Sequence, residues 1–82
     1  MTLRVVVAPG SGRLRLLPPR AYRGGTEWVE PGQPVARLER GNGDLVLTAP
    51  VRGRVAAVLG LDGEPVVAGQ AVMAIEPEVS AQ

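Results

Sequence analysis

The chain has 82 residues, a formal net charge of +1 and 45% hydrophobic residues, which is the size and balance of one small globular domain. It contains no Cys, no His and no Lys, because all nine basic residues are Arg. These absences exclude disulfides, thiol nucleophiles, Schiff-base chemistry and the commonest metal ligand, and the near-zero charge argues against strong electrostatic capture of nucleic acid.

The order of apolar residues predicts an all-β protein, because no helical periodicity is present and Gly and Pro interrupt the chain every few residues. The segment PPRAYRGG, residues 18–25, is predicted as the one long loop. We expect a single domain over 1–77, a frayed tail over 78–82 and, since no apolar run reaches membrane-span length and no secretory signal is present, a cytoplasmic location. Eight strands are predicted in chain order: 2–7, 12–17, 26–29, 35–40, 44–48, 53–59, 65–67 and 72–76.

Two sequence motifs each occur twice, in the same order. VVVAPGSGRLRLL, from Val5, matches VLTAPVRGRVAAV, from Val46, and both contain A-P-x-x-G-R. VEPGQPVARLE, from Val29, matches VVAGQAVMAIE, from Val66, and both contain G-Q-x-V. Each half alone is too small to bury its apolar face, so we expect the two copies to interlock about a pseudo-twofold axis.

Single residues within these motifs predict particular turns. Each Ala-Pro should end a strand, because Pro has no N–H for the ladder, and Gly12 and Gly53 should allow a tight corner into the next strand. Asn42-Gly43 predicts a two-residue type I′ hairpin, since both central residues of that turn need positive φ.

The order of these motifs strongly resembles the biotinyl/lipoyl carrier domain family over residues 4–76. The resemblance implies a barrel-sandwich hybrid, a flattened β-barrel of two four-stranded sheets. Biotinylated members of the family have Met-Lys-Met at the tip of the central hairpin. An ungapped alignment of LERGNGDLVLTAP places Asn42 on that lysine and Gly41 and Gly43 on the two methionines.

The missing lysine decides what the resemblance implies. Biotin and lipoate are attached through an amide to a lysine ε-amine, an Asn carboxamide is not nucleophilic enough to replace it, and no other lysine is present. The chain therefore resembles a biotin carboxyl carrier-like scaffold without an attached cofactor. The hairpin tip is either a plain turn or a retained recognition surface, and it consists of Arg40, Gly41, Asn42 and Gly43.

The long loop is the candidate surface for a protein partner, because Tyr and Arg are enriched at interface hot spots. Its candidate residues are Pro18, Pro19, Arg20, Tyr22 and Arg23. Alternatively, the loop covers one end of the barrel and Trp28 is a core plug. Arg13 and Arg54, which are equivalent in the repeat, are either a basic pair or a consequence of duplication.

Two functions are compatible with these residues. The first is a non-acylated biotinyl/lipoyl-like module for protein interaction or scaffolding, associated with a biotin- or lipoate-dependent multienzyme complex and without enzymatic activity, since the scattered carboxylates have no base, nucleophile or metal ligand beside them. The second is a small β-barrel that binds a polyanion or nucleic acid, although only two aromatic residues are available for stacking. Its arginines would be Arg13, Arg15, Arg52 and Arg54, with Arg20 and Arg23 nearby.

Overall fold

A computed structural model of the protein describes residues 2–79, in which nine β-strands and no helix occur. The all-β prediction is confirmed, and all eight predicted strands are present with ends within two residues of those expected. Residues 80–82 of the predicted tail lie outside the described residues. The strands are β1 (Arg4–Val7), β2 (Gly12–Leu16), β3 (Ala21–Arg23), β4 (Thr26–Val29), β5 (Pro34–Glu39), β6 (Leu45–Thr48), β7 (Gly53–Val58), β8 (Pro65–Val66) and β9 (Ala71–Pro77).

The strands form two antiparallel sheets, one with the order β1-β9-β7-β4-β3 and the other with the order β6-β5-β2-β8. No hydrogen-bonded strand pair joins the sheets within residues 2–79, so they do not close into a barrel. The prediction of two four-stranded sheets was wrong for the first sheet. Its fifth strand, β3, lies inside the segment that was predicted as a loop.

The strand order has the twofold relation expected from the sequence repeat. Without β3, the order β1-β9-β7-β4 corresponds to β6-β5-β2-β8, and each sheet takes two strands from each half of the chain. The register corresponds as well, because the pair Val29 and Gly53 in one sheet is matched by Val66 and Gly12 in the other. The two halves are therefore interlocked rather than placed side by side.

The two repeated motifs bind each other, which explains why they recur together. Gly32 donates its N–H to the Ala49 carbonyl at 2.9 Å, and Ala49 donates to the Gln33 carbonyl at 2.9 Å. In the other half Gly69 donates to Ala8 at 2.8 Å, and Ala8 donates to Gln70 at 2.9 Å. We call each of these two pairs of hydrogen bonds a clasp. Each clasp joins the end of an edge strand, β6 or β1, to the turn that leads into the neighbouring strand, β5 or β9.

Small and branched aliphatic side chains fill the space between the sheets. Leu14 and Leu38, which are fully buried, lie opposite each other on β2 and β5. With no Phe in the chain, the core depends on close packing of these smaller groups. The buried core consists of Val6, Ala8, Leu14, Val29, Val35, Ala36, Leu38, Leu47, Ala49, Val66, Val72, Met73 and Ile75.

The glycines of the A-P-x-x-G-R motif have a role in strand packing that the sequence did not predict. Neither Gly12 nor Gly53 has a positive φ, and each is the first residue of a strand that follows a bend. A Cβ at Gly12 would lie 2.9 Å from the Glu39 carbonyl oxygen, and one at Gly53 would overlap the Glu76 carbonyl. Glycine is needed because the neighbouring strand passes too close for a side chain.

Candidate functional site

The candidate tip loop, residues 40–44, joins β5 to β6 at the end of the four-stranded sheet. Gly43 donates its N–H to the Arg40 carbonyl at 3.3 Å, so the central residues of the turn are Gly41 and Asn42. Gly43 has φ +119°, whereas no residue other than glycine has a positive φ within 2–79. The type I′ prediction for Asn42-Gly43 was therefore wrong, because the loop is longer than two residues and Asn42 keeps an ordinary backbone conformation.

The tip loop exposes its central residues and secures its two ends. Gly41, Asn42 and Gly43 are exposed, and Arg40 Nε donates to the Gly43 carbonyl at 3.2 Å. At the other end, Arg37 Nε lies 3.2 Å from Asp44 Oδ2, an ion pair whose angle is too poor for a hydrogen bond. The loop thus presents a short neutral surface, centred on the Asn42 carboxamide, on a base secured by arginines.

The predicted partner segment forms a β-hairpin rather than a loop. Residues 21–29, which we call the β3–β4 hairpin, turn at Gly24 and Gly25 with φ of +57° and +79°. Two consecutive positive values between paired strands are typical of a type I′ turn, so that turn type occurs here instead of at Asn42. Tyr22, one of the residues predicted for partner binding, is 63% exposed on the outer strand.

Behind this hairpin, a groove of about 350 Å³ lies on the outer face of the five-stranded sheet. The Arg23 guanidinium stacks over the Trp28 ring at 4.1 Å, and the Trp28 indole N–H donates to Glu30 at 2.8 Å. Trp28 is half-buried and lies outside the core, so the interpretation of Trp28 as a core plug was wrong. The groove is lined by Arg23, Trp28, Arg54, Glu76, Pro77, Glu78 and Val79.

Sequence reasoning had missed this groove. The signal in the sequence is the dipeptide Gly24-Gly25, which is typical of a two-residue hairpin turn. Such a turn places Arg23 and Trp28 as diagonal neighbours on one face of the hairpin. The tip loop and the β3–β4 hairpin belong to different sheets, and no hydrogen bond or ion pair joins them in the described part of the chain.

The arginines of the alternative polyanion surface are mostly paired within the protein. Arg15 binds Glu39 at 2.9 Å, Arg52 binds Glu30 at 2.6 Å, and Arg54 binds Glu76. Arg23 lies 3.6 Å from Glu78, and Arg13 donates to the Gly63 carbonyl at 2.5 Å. Of the six residues predicted for that surface, only Arg20 has neither a carboxylate nor a hydrogen-bond partner within residues 2–79.

Arg13 and Arg54 are not brought together. Arg13 lies on β2 of the four-stranded sheet and Arg54 on β7 of the five-stranded sheet, at positions that correspond in the repeat. The two residues therefore do not form a basic pair on one sheet.

Hydrogen bonds and burial change the pKa of three carboxyl groups. Hydrogen bonds from Arg15 and Arg37 lower the pKa of Glu39, and hydrogen bonds from Arg52 and Trp28 lower that of Glu30. Partial burial raises the pKa of Glu27, which lies opposite Tyr22 in the β3–β4 hairpin. The two lowered pKa values belong to carboxylates in ion pairs within the protein.

The described residues contain no helix long and apolar enough to cross a membrane and no cluster of three or more Asp and Glu residues placed to hold a metal ion. Compared with models of known protein families and with curated proteins, the chain matches none.

Proposed function

We propose that this chain is a biotinyl/lipoyl-like domain of the barrel-sandwich type that carries no acyl cofactor and acts as a non-enzymatic protein-interaction module. The observation that supports the proposal is the exposure of Asn42 in the tip loop, because the sequence alignment with the carrier family puts the acceptor lysine at this residue. An interlocked pair of antiparallel sheets with an exposed central loop supports a carrier-like scaffold, and the loop offers no amine for acylation.

Acylation is tested by co-expression with a biotin ligase or a lipoyl ligase, followed by intact-mass measurement. We expect an unmodified wild-type chain. The informative variant is Gly41→Met with Asn42→Lys, which should become acylated if the tip has the family's geometry. Gly43 is left unchanged because its φ of +119° would strain a methionine.

Two matched variants make this experiment specific. Asn42→Arg with Gly41→Met keeps a cation at the tip without an acylatable amine. Arg20→Lys places a lysine amine outside the tip loop, in the connection between β2 and β3. Neither should be modified. If the folded lysine variant at position 42 stays unmodified, the alignment of the tip with the carrier family is wrong.

We propose the β3–β4 hairpin as the surface that binds the partner, a protein of the complexes in which related carrier domains dock. The support is the exposed Tyr22 beside Arg20, which has no internal partner among the described residues. Tagged wild-type protein and a Tyr22→Ser, Arg20→Ser variant are to be purified from the native host and compared by quantitative mass spectrometry. A partner should be lost with this variant and retained with Asn42→Ser; equal recovery with both variants would contradict this surface.

A further inference from the structure

The outer faces of the two sheets differ in character although the repeat makes their positions equivalent. In the edge strand β6 and its flank, the outward positions 44, 46 and 48 are Asp, Val and Thr. The corresponding positions 3, 5 and 7 around β1 are Leu, Val and Val. The strands beside these edges differ in the same way. Ala74 of β9 lies opposite Val5, whereas Arg37 occupies the equivalent position on β5, opposite Val46. One face is therefore charged, whereas the edge around β1 is apolar and exposed, with Leu3, Val5 and Val7 each 46–48% accessible.

The backbone of β1 has a free hydrogen-bonding edge. Ala8 exchanges hydrogen bonds with Gly69 and Gln70 on the β9 side. Because backbone groups alternate in direction along a strand, Arg4 and Val6 also point towards β9, and Leu3, Val5 and Val7 point away from it. The hydrogen bonds on the far side of β9 give the same result. The Glu78 N–H donates to the Arg52 carbonyl, so Glu78 points towards β7. By alternation along β9, the residues that point towards β1 are those opposite Arg4 and Val6. The three exposed aliphatic residues thus also carry the unpaired N–H and C=O groups.

We propose that β1 pairs antiparallel with β1 of a second copy of this chain, about a twofold axis at Val5. In this register Val5 faces Val5 of the second copy and Leu3 faces Val7, so each outward N–H meets a carbonyl. The side chains of the three pairs lie on one face and form a continuous aliphatic stripe across the junction. This inference is independent of the proposed carrier-like function.

The pattern favours a second copy because it is complementary to itself. Arg4 faces Val6 of the second copy rather than another arginine, so no like charges are opposed. The equivalent pairing of β6 would place Asp44 opposite Thr48 beside the charged Arg37, which disfavours a dry aliphatic stripe there. The remaining open edges, β3 and β8, have only three and two residues.

Sedimentation equilibrium over a wide concentration range tests this dimer. A single edge-strand contact is a small interface, so we expect the average mass to rise from 8.6 kDa towards twice that value with a midpoint of roughly 100 µM. Val5→Glu and Val5→Lys each oppose like charges at the axis and should weaken association about tenfold or more. Val46→Glu, at the equivalent exposed position on β6, is the matched control and should leave association unchanged.

An equimolar mixture of the two Val5 variants should regain the dimer, because Glu and Lys then face each other, and this recovery separates a specific interface from loss of folding. Amide exchange of wild-type protein supplies a second measurement. Exchange at Leu3, Val5 and Val7 should slow with rising concentration, while exchange along β6 does not change. A constant mass of 8.6 kDa, equal weakening by Val46→Glu or a monomeric mixture of folded variants would each overturn the proposal.

Discussion

Gly53 lies against the carbonyl group of Glu76 so closely that no side chain fits between β7 and β9. The residue before it, Arg52, accepts a hydrogen bond from Glu78 at 2.9 Å, so the two strands stay in register on both sides of the contact. The relationship repeats at Gly12 and Glu39 in the other sheet. Glycine at the last-but-one position of A-P-x-x-G-R is thus a requirement of sheet packing.

Replacement of Gly53 by alanine should therefore destabilise the protein by about 1–3 kcal/mol, the usual cost of forcing extra atoms into a packed site. Gly41→Ala is the matched control, since no atom lies within 4 Å of the added Cβ and φ is not positive there. It should change the free energy of unfolding by less than about 0.5 kcal/mol. Urea denaturation of both variants measures the difference, and equal stabilities would contradict the close-approach explanation.

Glu27 should be a destabilising residue at neutral pH. Partial burial raises its folded-state pKa above the usual 4.5, so the ionised form is disfavoured in the folded protein relative to the unfolded chain. Glu27→Gln should increase thermal stability slightly at pH 7, and the gain should disappear below about pH 4.5, where the carboxyl is protonated in both states. Thermal melts of both proteins across this pH range test the sign.

Glu39 should make the opposite contribution. It accepts from Arg15 at 2.9 Å and from Arg37 at 3.1 Å, and these two arginines lie directly opposite each other on β2 and β5. Its lowered pKa means that the stabilisation is complete above the unfolded value near 4.5 and is lost as the pH falls through the lower folded value. Glu39→Gln should lower the melting temperature at pH 7 and show less further loss on acidification.

High salt should reduce the difference between Glu39→Gln and wild type, because the ion pairs are exposed to solvent. If Glu39→Gln loses as much stability on acidification as the wild type does, other carboxyl groups control unfolding at low pH. Glu30, whose pKa is also lowered, is the first of these to replace.

The single Trp reports on the β3–β4 hairpin. Arg23 covers the Trp28 ring at 4.1 Å, so Arg23→Ala should expose the indole, increase fluorescence quenching by acrylamide and cost about 0.5 kcal/mol. Arg20→Ala, a change at an arginine without an internal partner within residues 2–79, should leave both quenching and stability unaltered. Equal quenching in the two variants would mean that the stacked arrangement is not maintained in solution.

Much of the fold was predictable because its signals are local. The lack of a helical period and the regular Gly and Pro interruptions located eight strands, and the duplicated motifs indicated that both halves share one architecture. The strand β3 was not predictable in this way. Its residues Ala21, Tyr22 and Arg23 are all exposed, so they carry no alternation of buried and exposed positions, and β3 depends on pairing with β4.

The geometry of the candidate tip loop was not predictable from its residues alone. Asn-Gly is a strong signal for a type I′ turn, yet the register that pairs Leu38 with Leu45 leaves too many residues between the strands for it. Trp28 was ambiguous for a similar reason. Trp28 points away from the core because its neighbour on β4, Val29, points into it. Which of the two residues is buried depends on where the second sheet lies, and the sequence does not show this.

The tip loop is also the junction between the two copies, since the first ends at Glu39 and the second begins at Leu45. Cleavage between Gly41 and Asn42 would produce two fragments, each holding strands of both sheets and one half of each A-P to G-Q clasp. Neither fragment has a complete sheet to fold around. Together they should reassemble into a noncovalent complex with the native fold, because each fragment supplies the strands and hydrogen-bonding partners that the other lacks.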